Sequence, residues 1–269
     1  MMTRKTLLTG LALVLAGCSS QSPAAGEEAR DGPTTAASAS PAKEKTAIPV
    51  TARAEAVSTD SYSFSYSYPS AAGVIPGVKE WLDADLAARK SYIADLAKEG
   101  RKASQNDGFP FNPYDFELGW DVVTDLPAWL SLSASFSTYT GGAHPNHGFD
   151  ALLWDKRAGK MREATELFQS ERAFSDVVRA DFCKALDKER AEKRDSQGID
   201  GFDECIEPTE AVIILGSSNG KAFNRIGFLI APYIAGPYVE GTYEVTLPVT
   251  EKVLSKVKAE FRPSFVVAK

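Results

Sequence analysis

The chain has 269 residues, of which 43% are hydrophobic, 10% aromatic and 25% charged. These globular proportions exclude a wholly disordered, collagen-like or coiled-coil chain. Thirty basic residues against 36 acidic ones give a formal net charge of −6, and no Lys/Arg run is dense enough to track a phosphate backbone, so nucleic acid is not an expected partner.

Residues 1–17 read as a bacterial export signal. Arg4 and Lys5 supply its positive end, and Leu7 to Ala16 form an apolar run too short to span a bilayer permanently. The run closes Leu15-Ala16-Gly17-Cys18, which resembles a lipobox, so Cys18 is the expected site of lipidation. Several acyl chains on one residue make a stable anchor where a single chain holds only marginally. Cleavage removes Arg4 and Lys5 and no acid, which moves the formal charge from −6 to −8. Residues 18–58 are dominated by Ser, Ala, Thr, Pro, Gly and Glu without a sustained apolar period, and read as a lipidated, disordered tether. The expected address is the cell envelope, with the membrane as a partner through the anchor. Ser19 after the anchor cysteine points to the outer membrane, facing the periplasm, if the source has two membranes.

The folded part begins with a period of two over Ser61–Tyr68: Tyr62, Phe64, Tyr66 and Tyr68 alternate with serines, a half-buried strand ended by Pro69. Between Val78 and Glu99 the positions of Trp81, Leu82, Leu86, Ile93 and Leu96 predict a helix, with Gly100 as its stop. Residues 106–115 read as a shaped loop, Phe116–Val123 and Leu130–Tyr139 as strands, 140–147 as a glycine-rich turn, and Phe149–Trp154 as the returning strand. After a tight turn at 156–159, a second long helix runs from about Ser170 to Lys193 on Phe174, Val177, Val178, Phe182 and Leu186, its charge-rich tail a solvated face. Strands follow at Ala211–Leu215, Phe223–Ala231 and Thr242–Leu247, and Thr250 caps a short closing helix. The predicted class is α+β, with largely antiparallel sheets packed against two long helices and a short C-terminal one. The module divides into an N-terminal part, 59–125, and a C-terminal part, 126–269.

Cys183 and Cys205 survive maturation. An oxidising compartment favours a disulfide between them, the alternative being two buried thiols. Gly216-Ser217-Ser218-Asn219-Gly220 matches the string of a nucleophile elbow. A strand rather than a helix follows it, and both histidines precede the serine, so a tight Asn-Gly hairpin turn is the better reading. His144, His147 and Asp150 are candidate metal ligands by spacing, but they lack the helical i, i+4 pair and an adjacent glutamate. No cofactor is expected and no catalytic constellation stands out.

The stretch Thr138-Tyr139-Thr140-Gly141-Gly142-Ala143-His144-Pro145-Asn146 resembles the signature of an envelope family containing the ectodomain of the anti-sigma-V lysozyme receptor and the N-terminal region of certain peptidoglycan deacetylases. Tyr66-Ser67-Tyr68-Pro69 before the long helix, Glu166-Leu167-Phe168, and Ala231-Pro232-Tyr233-Ile234-Ala235-Gly236-Pro237-Tyr238 followed by Leu247-Pro248 are similar to further landmarks of that family, in its order. The likeness runs from about residue 60 to 262. It implies a binding module whose signature residues, Tyr139, Gly141, Gly142, His144, Asn146, Tyr233, Gly236, Pro237 and Tyr238, are candidates either for ligand contact or for determining the fold, and whose ligand is a protein or cell-wall component such as a lysozyme-like enzyme. Sigma-factor signalling and deacetylation are not carried over. The alternatives are a metal-dependent peptidoglycan-modifying enzyme centred on His144, or a structural accessory lipoprotein. The glycines also have a plain physical reading, as positions of positive φ that turn the chain.

Overall fold

The alternating aromatic segment is the second strand of a six-stranded sheet. A computed structural model of the protein describes residues 51–195 and 197–269; the expected signal sequence, the expected lipidation site Cys18 and the stretch read as tether up to residue 50 lie outside these. The sheet follows chain order through β1 (Thr51–Ser58), β2 (Tyr62–Pro69), β3 (Tyr114–Leu126), β4 (Trp129–Tyr139), β5 (Asn146–Asp155) and β6 (Lys160–Arg162). All neighbours are antiparallel except β2 and β3, which run parallel. Parallel neighbours need a crossover, supplied by the short α1 (Ser70–Gly73) and the long α2 (Pro76–Asp107).

The expected strands and helices are present with shifted ends, and two differences have clear causes. The stretch read as tether carries β1 in its last eight residues. Its half-buried positions include Arg53 and Glu55 instead of apolar residues, and ion pairs to α2 replace the missing hydrophobic signal: Arg53 to Asp83 and Lys90 to Glu55 at 2.7 Å. Second, Gly100 does not stop the helix, which continues to Asp107 and ends on Gly108 in the left-handed conformation at φ 72°. A Cβ at Gly100 would collide with the Tyr114 ring, so this glycine allows close packing.

The Asp83 carboxyl is held down to about 2 by hydrogen bonds from Lys79, Tyr68 and Arg53, which outweigh its partial desolvation. Because its folded pKa lies below the unfolded value, its contribution to stability is full above about pH 4 and is lost as pH falls toward 2. Asp83→Asn is expected to flatten the pH dependence of unfolding in that window, read from urea melts of the variant and the parent protein. Equal slopes in the two proteins would show that the network is not coupled to folding.

The second layer is a meander of β7 (Val212–Gly216), β8 (Arg225–Ile230) and β9 (Tyr243–Pro248), packed with α3 (Glu171–Lys193) and α4 (Glu251–Lys256). Ser170 caps α3 by accepting from the Ala173 N–H at 3.0 Å, and Thr250 caps α4 from Val253 at 3.3 Å. Asn219-Gly220 turns the chain as expected, with Gly220 at φ 65°, but inside a wider connection (217–224) that the Asn219 side chain organises by accepting from the Lys221 and Ala222 N–H groups. β8 follows, so no nucleophile elbow forms at Ser218.

Two cores lie on opposite faces of the large sheet. One packs Phe64, Tyr66, Tyr68, Leu118, Trp120, Leu130 and Leu132 under α2; the other is rich in phenylalanine, with Phe168, Phe174, Phe182, Phe223 and Phe228 buried between the meander and α3. A bulge at Val123 lets β3 serve both. Before it, Leu118 and Trp120 face α2; after it, Thr124 pairs Ser131 and Leu126 pairs Trp129, placing Leu126 and Trp129 in the second core. The serine face of β4 is therefore partly roofed by the meander, and Ser131 is buried. The division at residue 125 falls inside β3, and the described residues belong to one compact unit.

Candidate functional site

Two segments far apart in sequence converge. The turn between β4 and β5 uses Gly141 and Gly142 at φ 97° and 99°, a conformation that L side chains avoid. A Cβ at either glycine would meet nothing within 4 Å, so these glycines serve backbone geometry and not close approach to another element. Tyr139 donates to the Gly142 carbonyl at 3.2 Å. His144 then lies against the connection between β8 and β9. Its ring stacks on Tyr238 with centroids 3.6 Å apart, Nδ1 faces the Pro145 carbonyl at 2.9 Å and Nε2 faces the Tyr233 hydroxyl at 3.2 Å. A carbonyl can only accept, so Nδ1 carries a proton, and Nε2 is left to accept from Tyr233 in the neutral ring. Tyr238 donates to the same Pro145 carbonyl at 2.8 Å.

The left-handed residue in the second segment is Tyr233, at φ 71°, and not Gly236. Gly236 is needed for space: a Cβ there would strike the Glu240 carboxylate and the Tyr243 ring. Pro237 leads into the turn at Tyr238–Glu240.

The metal-ligand spacing does not converge. His147 is exposed on the outer face of β5, opposite Ser137 and 6.1 Å from the Tyr238 ring. Asp150, three residues on, points to the opposite face and pairs with Arg89 at 2.7 Å; burial pushes its carboxyl up despite that arginine. Asn146 opens β5 opposite Thr138 and is exposed. Among the described residues, no three His, Cys, Asp or Glu side chains stand close enough to hold a metal ion.

The machinery that fixes the aromatic loop was not foreseen. Arg190 and Arg194, at the tail of α3, are buried, and both donate to the Ala235 carbonyl, at 3.0 and 3.2 Å. Arg194 also grips Glu240 through Nε at 2.7 Å and Nη2 at 3.0 Å, and the Tyr243 hydroxyl donates to the same carboxylate. The Arg194 hydrogen bond holds Glu240 below the usual carboxylate range, and burial pushes Tyr243 up to about 12. On their other side the arginines donate to the Phe202, Asp203 and Glu204 carbonyls. That segment is stapled to α3 by the disulfide between Cys183 and Cys205, whose Cα atoms lie 5.5 Å apart. The tail of α3 is thus a solvated face only in part: Asp187, Lys188 and Glu192 are exposed, whereas Arg190 and Arg194 turn inward. The available signal was the four-residue stripe Phe174, Val178, Phe182, Leu186, which runs on unbroken into Arg190 and Arg194.

A family model described as deacetylase PdaC matches residues 55–147. A DUF3298 family protein from Pseudomonas aeruginosa PAO1 is similar in structure, with a TM-score of 0.53 at 14% identity over 82% of this chain and 98% of that one. A second DUF3298 member, from Bacteroides fragilis NCTC 9343, scores 0.47 at 13% identity over 80% and 98%. No curated protein matches the sequence. Residues 55–147 are thus similar to the PdaC family model, and the chain shares its fold with the Pseudomonas aeruginosa DUF3298 protein.

Proposed function

We propose that the chain is a lipid-tethered binding module of the bacterial cell envelope. Acylated Cys18 holds it to the membrane, the outer one where there are two, and the loop at 231–241 is displayed to a protein or cell-wall ligand. The observation that carries this reading is apolar exposure combined with rigidity. Tyr233, Ile234 and Val239 are 53%, 39% and 90% exposed, yet their loop is clamped by two buried arginines and by the rings of His144 and Tyr238. Grouped apolar exposure marks interaction surfaces, and a loop already ordered costs less to bind. A non-glycine residue held at positive φ, as Tyr233 is, clusters with such sites. The acidic net charge favours a basic partner at low salt, and a lysozyme-like glycosidase is the first candidate. Binding without chemistry is further supported by His144, whose two ring nitrogens both face partners inside the protein.

Pull-down and inhibition assays against a panel of muramidases test the reading. Binding of at least one is expected at low ionic strength, weakened about ten-fold or more by Tyr233→Ala and by Val239→Asp. Absence of binding to any muramidase at about 10 μM removes the lysozyme version. Turnover of glycan strands by the purified chain, abolished in His144→Ala, would restore the enzymatic alternative.

A further inference from the structure

Beside His147 the outer face of the large sheet is left open by the meander, forming a trough of about 600 Å³. This lies within the range of small-ligand sites, about 300–1,000 Å³. Its floor consists of two cross-strand rows over β2, β3, β4 and β5. One row is Ser65, Glu117, Ser137 and His147; the other is Ser67, Gly119, Ser135 and Phe149. Four strands span three inter-strand spacings, about 14 Å. Each row ends in an aromatic ring on β5, and Thr242 and Glu244 of the meander form a wall.

Three features define what fits. The ligand meets a sheet face, whose backbone N–H and C=O groups are already paired in the ladders, so only side chains can read it. A peptide that recognises a sheet through its main chain adds to an edge. Apart from the His147 ring, the polar side chains present are hydroxyls and carboxylates, with no lysine or arginine among them. They are also unengaged: Ser63, one position outside the trough, donates to Asp115, whereas among the described residues the hydroxyls of Ser65, Ser67, Ser135 and Ser137 and the carboxylates of Glu117 and Glu244 make no hydrogen bond within the protein.

We propose that this trough is a saccharide-binding site, taking a short neutral oligosaccharide along the rows. Hydroxyls that both donate and accept, carboxylates that accept from neighbouring sugar hydroxyls, and rings at one end for the apolar face of a pyranose match that ligand class. Gly119 keeps the floor clear at its centre. The site does not rest on the protein-binding role of the 231–241 loop, and the two can be separated.

The test is calorimetry on the full chain with chitotetraose and cellotetraose, which distinguish an N-acetylhexosamine strand from a plain hexose chain. At least one probe is expected to bind with a Kd of about 1 mM or tighter. Gly119→Phe should weaken it about ten-fold or more: a Cβ there meets only the Ser67 hydroxyl, at 3.7 Å, so the ring fills the trough without disturbing the sheet. Ser135→Phe, at an exposed position, serves the same purpose should the first variant fail to fold. Tyr233→Ala should leave saccharide binding unchanged. The proposal is overturned if neither probe binds, if both trough-filling variants bind as well as the parent, or if these variants abolish muramidase binding while no saccharide binds. The last result would assign the trough to a protein interface.

Discussion

Replacing Arg194 by alanine should cost the fold about 3–5 kcal/mol, because it strands the Glu240 carboxylate in a buried position. The two side chains are only 4% and 7% exposed and meet at 2.7 Å. Glu240 would retain the Tyr243 hydroxyl but lose its only cationic clamp among the described side chains. The Ala235 carbonyl would lose one of its two arginine donors. At about 2–4 °C per kcal/mol for a domain of this size, the melting temperature should fall by roughly 10 °C. Arg194→Lys keeps the charge but not the planar fork, and should recover only part of the loss. Urea denaturation followed by tryptophan fluorescence measures both. A loss below about 1 kcal/mol for the alanine variant would mean that Glu240 finds water, and that the loop does not depend on the arginine.

The second large effect is expected from opening the disulfide. Cys183 and Cys205 are separated by 22 residues, and closing a loop of that length in the unfolded chain contributes about 3 kcal/mol in the entropic account. The double substitution Cys183→Ser/Cys205→Ser should lower stability by about that amount. A more specific consequence concerns the aromatic loop. Cys205 adjoins Glu204, whose carbonyl accepts from Arg190, which in turn donates to Ala235. Loosening the stapled segment should therefore raise hydrogen exchange at the Tyr233 N–H, which is bonded to the Gly236 carbonyl at 2.9 Å. Unchanged exchange there, alongside lowered global stability, would show that the staple acts on the unfolded chain alone.

Much of this architecture was legible because periodicity reports burial directly. The tyrosine–serine alternation of β2 and the four-residue stripe of α3 each face one core, and the structure buries the expected sides. β1 was hidden because an edge strand held by ion pairs to a helix has no apolar period to read. The length of α2 was hidden because Gly100 has two physical uses, stopping a helix and admitting a ring, and only the position of Tyr114 decides between them. The candidate site was half legible. The segments bearing His144, Tyr233 and Tyr238 could be named from their residues, and they do meet. That Asp150 faces away follows from strand parity once the register of β5 is known. The buried arginines needed the opposite inference, that a charge on an apolar stripe is a charge with a partner.

The bulge at Val123 bears on the module's portability between genes. A fragment ending at residue 147, where the family match stops, would keep Leu126 and Trp129 but lose the meander that covers them, and would break off at the second residue of β5. Such a piece would carry a bare greasy flank and an open sheet margin, an invitation to self-association. Any genetic shuffling that preserves solubility must therefore move both layers as a single cassette.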